Sequence, residues 1–291
     1  MHIATLITDP ARPALDAATV DALRTRWSGA PPRWLAEGVA ADLPLPTRPD
    51  DIAEVWADLQ ARGIDLAVQP AAGRRKRLLL ADMDSTMIAQ ECIDELAAVA
   101  GIGPQIAAVT ARAMNGELAF EPALRERVAL LAGLDAGVIA QVIADRITYV
   151  PGGRTLVATM QTHGALCVLV SGGFTAFTRA VAAHLGFDEH RANLLEVDAG
   201  RLTGTVAEPI LGRAAKRAAL EEICAREGLT PAEVLAIGDG ANDLDMLGAA
   251  GMGVAMHAKP AVAAQSALRI HHGDLTAALY LQGYARADFA A

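Results

Sequence analysis

The spacing of hydrophobic positions changes several times along the chain, and each change marks an element. Ile3 to Ile7 reads as a short strand, and Leu15 to Trp27 has helical spacing. Trp34 to Leu43 fits strand or loop equally, and Pro44, Pro46 and Pro49 punctuate the residues after it. Asp50 or Asp51 caps a helix running to about Arg62, with Ile52, Val55, Trp56 and Leu59 on one face. Gly63 ends that helix, and Ile64 to Val68 is another strand. Leu78 to Ala81 is apolar without alternation, as expected of a strand buried on both faces of a parallel sheet. Helical spacing then dominates to about residue 149, in pieces separated by Gly101, Gly103-Pro104, Asn115-Gly116 and Gly133.

From Tyr149 onward strands and helices alternate. Helices are predicted from Pro151-Gly152-Gly153 to about His163, from about Thr175 to Leu185, and over Arg213 to Glu227. Leu166 to Val170, Val234 to Ile237 and Met252 to Ala255 read as strands, and Leu194 to Val206 as a hairpin around Asp198-Ala199-Gly200. This rhythm predicts an α/β fold with a doubly wound, mostly parallel, Rossmann-like sheet. Three parts are expected: a small N-terminal α/β domain over 1–72, a core over 73–88 and 150–291, and an all-helical insertion over 89–149. An insertion placed directly after the first core strand can serve as a lid over that strand's carboxyl end.

Composition narrows the function. The 291 residues suffice for more than one domain, and 53% hydrophobic content excludes a disordered chain. A formal net charge of −9 argues against nucleic-acid binding, so Arg74-Arg75-Lys76-Arg77 reads as a solvated linker. Cys92, Cys167 and Cys224 lie far apart and form no paired motif, which fits buried free thiols in a reducing compartment. Asp9 and Pro10 interrupt the apolar N-terminus, and no run nears the roughly 20 residues that span a bilayer. A cytoplasmic protein with no membrane and no nucleic-acid partner is expected; a homodimer is left open.

Three apolar strands end in polar loops: Asp82-Met83-Asp84-Ser85-Thr86, Ser171-Gly172-Gly173, and Gly238-Asp239-Gly240-Ala241-Asn242-Asp243. Parallel strands deliver such loops to one edge of a sheet, where ligands of open α/β folds bind. Asp82, Asp84, Asp239 and Asp243 would then crowd together, which is costly unless a divalent cation shares the site. A few oxygen ligands with room for water and phosphate point to Mg²⁺. The chemistry this predicts is phosphoryl transfer. One Asp attacks phosphorus, a second moves protons, and Ser171, the Gly172 amide and Lys216 receive the phosphate.

These stretches, with Lys216, resemble the four motifs of the haloacid dehalogenase superfamily of phosphohydrolases, and within it the phosphoserine phosphatase family. Glu91-Cys92-Ile93-Asp94-Glu95, Met114-Asn115-Gly116-Glu117-Leu118-x-Phe120 and Leu124-Arg125-x-Arg127-Val128 extend the resemblance into the insertion, which then looks like that family's helical cap. Residues 1–72 resemble, in layout alone, the small ACT-like domain of some members. The resemblance implies hydrolysis of phosphoserine, the last step of serine biosynthesis, through an aspartyl-phosphate. Asp82 would be the nucleophile and Asp84 the general acid and base. The Asp82 side chain, the Asp84 backbone carbonyl and the Asp239 side chain would hold Mg²⁺, supported by Asp243 and Asn242. Ser171, Gly172 and Lys216 would grip phosphate, with Asn242 beside them. Glu91 would meet the substrate's ammonium and Arg127 its carboxylate, while Met114 and Phe120 would help close the cap. Another small phosphomonoester is the alternative substrate, and a phospho-accepting regulatory domain the alternative function.

Overall fold

The structure, a computed structural model, describes residues 1–115 and 117–290. Gly116, Ala291 and the side chain of Met114 lie outside the described residues, so the expectation placed on Met114 does too.

The N-terminal unit runs β1 (His2–Thr8), α1 (Ala17–Arg26), β2 (Arg33–Ala36), β3 (Ala40–Leu45), α2 (Ile52–Ala61) and β4 (Ile64–Pro70). Its antiparallel sheet has the order β2-β3-β1-β4, the βαββαβ arrangement of ferredoxin-like units. Asp16 caps α1 by accepting a bond from the Thr19 amide at 2.6 Å. The stretch that fitted strand or loop resolves into β2 and β3, turned at Gly38, whose φ of +70° suits glycine.

Side chains of a strand alternate between faces. Here Ala4, Leu6, Ala41, Leu43, Leu45, Ile64 and Leu66 pack on α1 and α2 through Val20, Leu23, Val55 and Leu59. The opposite face carries Ile7, Ala40 and Ala67, which join the main core. That second face also carries Thr5, Asp42, Asp65 and Gln69, all buried. Read as alternation alone, such polar positions would face water.

In the expected solvated linker, Gly73, Arg75 and Arg77 are exposed, but Arg74 and Lys76 are not. Arg74 is half-buried, making a two-pronged pair with Asp42 at 2.6 and 2.9 Å and donating to the Leu281 and Tyr280 carbonyls. Lys76 is buried and donates to the carbonyls of Gly73 and Ala232, both at 2.7 Å. Two residues of the basic run have acceptors folded over them, so charge alone does not imply exposure.

The second unit begins with β5 (Leu78–Ala81), followed by the helical insertion α3 (Cys92–Ala100), α4 (Gly103–Met114), α5 (Phe120–Ala129) and α6 (Gly137–Asp145). The chain returns through α7 (Gly153–Thr162), β6 (Leu166–Phe174), α8 (Thr175–Leu185), β7 (Glu189–Asn193) and the hairpin β8 (Leu195–Asp198) with β9 (Arg201–Val206). It ends with α9 (Arg213–Glu227), β10 (Val234–Gly238), α10 (Leu244–Ala249), β11 (Met252–Met256), α11 (Pro260–Ala263), β12 (Leu268–Ile270) and α12 (Ala277–Leu281).

Apart from the antiparallel β8–β9 hairpin, these strands form one parallel sheet of order β12-β11-β10-β5-β6-β7. Leu79, Ala81, Cys167, Leu169, Leu235 and Ile237 face α7 and α8, while Leu78, Leu80, Val168, Val170, Val234 and Ala236 face α9 and α10. Both faces are covered, which explains why these strands read as unbroken apolar runs. Successive strands after β5 proceed outward on one side, and β10 then returns to its other side. That reversal is a topological switch point, and ligand crevices open at the carboxyl ends of the strands there.

β7 has the polar sequence Glu-His-Arg-Ala-Asn and carries no strand signal of its own, because an edge strand needs no apolar run. All three cysteines are buried and free. Among the described residues, no helix is long and apolar enough to cross a membrane.

Candidate active site

β5 delivers its carboxylates to the switch point without a break. The Asp82 amide still bonds the Ile237 carbonyl of β10 at 2.9 Å, continuing the ladder. Ser85 then takes a left-handed φ of +55°, and the amides of Thr86, Met87 and Ile88 fold back onto the Met83 carbonyl at 3.3, 2.9 and 3.1 Å. This tight turn aims the Thr86 hydroxyl at Asp239, where it donates to Oδ1 at 2.8 Å. The loops after β5 and β10 are thereby tied together.

Asp82, Asp239 and Asp243 are buried, and one carboxylate oxygen from each lies within 4.8 Å of the others. Lys216, from the first turns of α9, is fully buried and reaches Asp82 Oδ1 at 2.7 Å and Asp243 Oδ1 at 2.6 Å. The other Asp243 oxygen accepts the Gly240 amide at 3.0 Å.

Asp84 points toward β6 and the insertion. Its Oδ1 accepts the Cys92 amide at 3.1 Å, and Ser171 Oγ lies 3.3 Å from its Oδ2. A Cβ at Gly173 would sit 2.6 Å from that Oδ2, so glycine is required for the approach. Ser171 to Gly173 form an irregular stretch, the β6–β7 register shifting between Val170 and Phe174.

Electrostatics single out this region. Burial first, then the Asp243 charge, pushes Asp82 well above the ordinary carboxylate range against the pull of Lys216. Burial, then Glu91, raises Asp84 to about 6, and burial raises Asp239 to about 6. Burial works to lower the Lys216 ammonium, but Asp82 and Asp243 outweigh it and the net displacement is upward. One ammonium is shared by two carboxylates, with two more close by. A cluster so rich in negative charge is a poor structural element and a good cation site.

The insertion supplies the remaining candidates. Glu91, at the start of α3, is exposed and accepts a bond from Ser85 Oγ at 2.8 Å. Arg127 is half-buried on α5, bonded through Nε to the Ala123 carbonyl at 3.3 Å. Burial holds its guanidinium below the usual range, opposed by the charges of Asp94, Glu91 and Asp84. The Phe120 ring lies over two glycines, since an added Cβ would come within 3.1 Å of it at either Gly172 or Gly212. Asn242 is half-buried in the turn between Asp239 and Asp243.

The sequence reading missed two residues here. Asp94, on α3, has its carboxyl raised by burial and by the Glu91 charge, against the pull of Arg127 and Lys259. Asn193, at the end of β7, is buried against the Ser171-Gly172-Gly173 loop. Asp94 lies within the Glu91-Cys92-Ile93-Asp94-Glu95 stretch, which assigns it no role, and Asn193 stands in no motif that would have flagged it.

A model of the haloacid dehalogenase-like hydrolases matches residues 79–248, and the chain belongs to that family. Its relatives there carry a more particular name. A phosphoserine phosphatase of Streptomyces coelicolor is 47% identical over 230 residues, covering 78% of this chain and 56% of that protein. The chain thus matches little more than half the length of that relative. A haloacid dehalogenase family hydrolase of Salmonella enterica serovar Typhi superposes with a TM-score of 0.86 at 30% identity, covering 97% of this chain and 98% of the other. A substrate-bound phosphoserine phosphatase structure superposes with a TM-score of 0.66 at 37% identity, covering 71% and 98%.

Proposed function

We propose that the chain is a Mg²⁺-dependent phosphatase that hydrolyses phosphoserine to serine and phosphate through an aspartyl-phosphate on Asp82. The observation that carries this reading is the convergence of three buried carboxylates on one point beside a buried lysine. The likeness to phosphoserine phosphatases along most of this chain supports the substrate.

The donor set fits Mg²⁺, being composed of hard oxygens in excess negative charge. Asp82, Asp239 and the Asp84 carbonyl would hold the ion, with Asp243 behind them. When bound, it neutralises the phosphoryl oxygens as charge builds on them.

The chain's own groups do the rest. Lys216, clamped by Asp82 and Asp243, offers a fixed positive charge to the phosphate. Ser171 Oγ and the Gly172 amide add donors. Asp82 Oδ attacks phosphorus, the bond from phosphorus to the serine oxygen breaks, and Asp84 gives its proton to that oxygen. Water then attacks the phosphorus and gives a proton to Asp84, the bond from phosphorus to Asp82 breaks, and both carboxyls are regenerated. A carboxyl at about 6 exchanges protons readily near neutrality, and burial gives Asp84 that value. Glu91 meets the ammonium and Arg127 pairs with the carboxylate, so the insertion acts as a lid that reads the amino acid while the sheet edge reads the phosphate.

Phosphate release from phosphoserine should require magnesium, stop with EDTA, and fall about 10⁴-fold or more in Asp82→Asn with circular dichroism unchanged. Turnover retained by Asp82→Asn would refute the nucleophile. Hydrolysis of other phosphomonoesters but not phosphoserine would refute the substrate.

A further inference from the structure

Asn193 is nine-tenths or more buried and uses its whole amide. Nδ2 donates to the Gly172 carbonyl at 2.8 Å and to the Leu211 carbonyl at 3.2 Å, and Oδ1 accepts the Leu211 amide at 2.7 Å. Two loops from distant parts of the chain meet on this one side chain.

Each contact is transmitted to a phosphate-facing group. The peptide joining Gly172 to Gly173 is planar, so fixing its carbonyl fixes the direction of its N–H. That N–H, on Gly173, donates to Ser171 Oγ at 2.8 Å. With a lone pair engaged there, Ser171 Oγ is held in place while its hydroxyl donates to Asp84 Oδ2 at 3.3 Å, so the same peptide orients the Ser171–Asp84 pair. On the other side, Leu211 is followed by Gly212, whose carbonyl accepts the Lys216 amide at 3.1 Å and opens α9. Asn193 therefore sets the start of the helix that carries Lys216. The two backbones it joins also lead to Gly172 and Gly212, the pair of glycines beneath the Phe120 ring.

We infer that Asn193 is a positioning residue that aligns Ser171, Gly172 and Lys216 into one phosphate cradle and presents the glycine surface on which Phe120 of the insertion settles. The inference rests on the reading of those groups as phosphate donors. Only an asparagine-like amide serves, because two carbonyls need N–H donors while the Leu211 amide needs an acceptor. Aspartate keeps the acceptor and sets negative charge against both carbonyls.

The test is calorimetric titration of the magnesium-loaded full chain with inorganic phosphate and, separately, with L-serine. Asn193→Ala and Asn193→Asp should each weaken phosphate about tenfold and leave L-serine within about twofold. Should Asn193→Ala fail to fold, the nearly isosteric Asn193→Asp carries the comparison. Unchanged phosphate affinity, or parallel loss of phosphate and serine, would overturn the positioning role. A wild-type chain that binds phosphate but does not hydrolyse phosphoserine would overturn only the substrate reading. A wild-type chain that binds no phosphate would overturn both.

Discussion

Two buried polar regions of this molecule obey opposite rules. At the switch point, Asp82, Asp84, Asp239 and Asp243 gather around Lys216, and burial drives three of these carboxyls upward. At the junction between the N-terminal sheet and the C-terminal segment, each acid has its own donors. Asp42 takes the Arg74 fork and the Thr5 hydroxyl at 2.7 Å. Asp65 takes the amides of His271, His272 and Gly273, each at 2.9 Å. Matched donors mark a seam that holds units together. Unmatched charge marks a place that waits for something else to bind.

Substitutions should separate the two regions by the sign of their effect. The largest change is expected for Arg74→Met, which strands the buried Asp42 carboxylate and costs about 3–5 kcal/mol. Urea unfolding measures it, and the protein that remains folded should keep its turnover. Asp65→Asn comes next. It sets an amide against amides that need acceptors and should cost about 1–3 kcal/mol by the same measurement. Asp239→Asn should do the reverse. In the presence of EDTA it removes one crowded negative charge while keeping an acceptor for Thr86, and should stabilise the protein by about 1 kcal/mol. The same variant should lose turnover and its stabilisation by magnesium. A destabilised Asp239→Asn in EDTA would erase the contrast between the regions.

The junction also shows where sequence patterns mislead. Thr5, Asp42, Asp65 and Gln69 alternate with apolar neighbours as a solvent-facing stripe does, and Arg74 to Arg77 look like a linker. The burial of Asp65 and Gln69 and the anchoring of Arg74 depend on carbonyls and amides more than 200 residues away, such as those of Leu281 and His271, which no local window contains. β7 hid for a related reason: a parallel edge strand is made by pairing with β6, not by its own hydrophobicity.

What the sequence determined by itself were local facts. Unbroken apolar runs made the central strands, periodic faces made the helices, and acids, hydroxyls and glycines stood where those strands end. These depend on neighbours a few residues apart, so a single chain read from end to end reveals them. Tertiary structure alone decided which of those ends meet. It brought Asp82, Asp239 and Asp243 within 4.8 Å, set Lys216 between two of them, and hung the Ser171 loop and the start of α9 on Asn193. Strand order governs such meetings, and it comes from burying both faces of a sheet at once, a constraint the whole chain satisfies together.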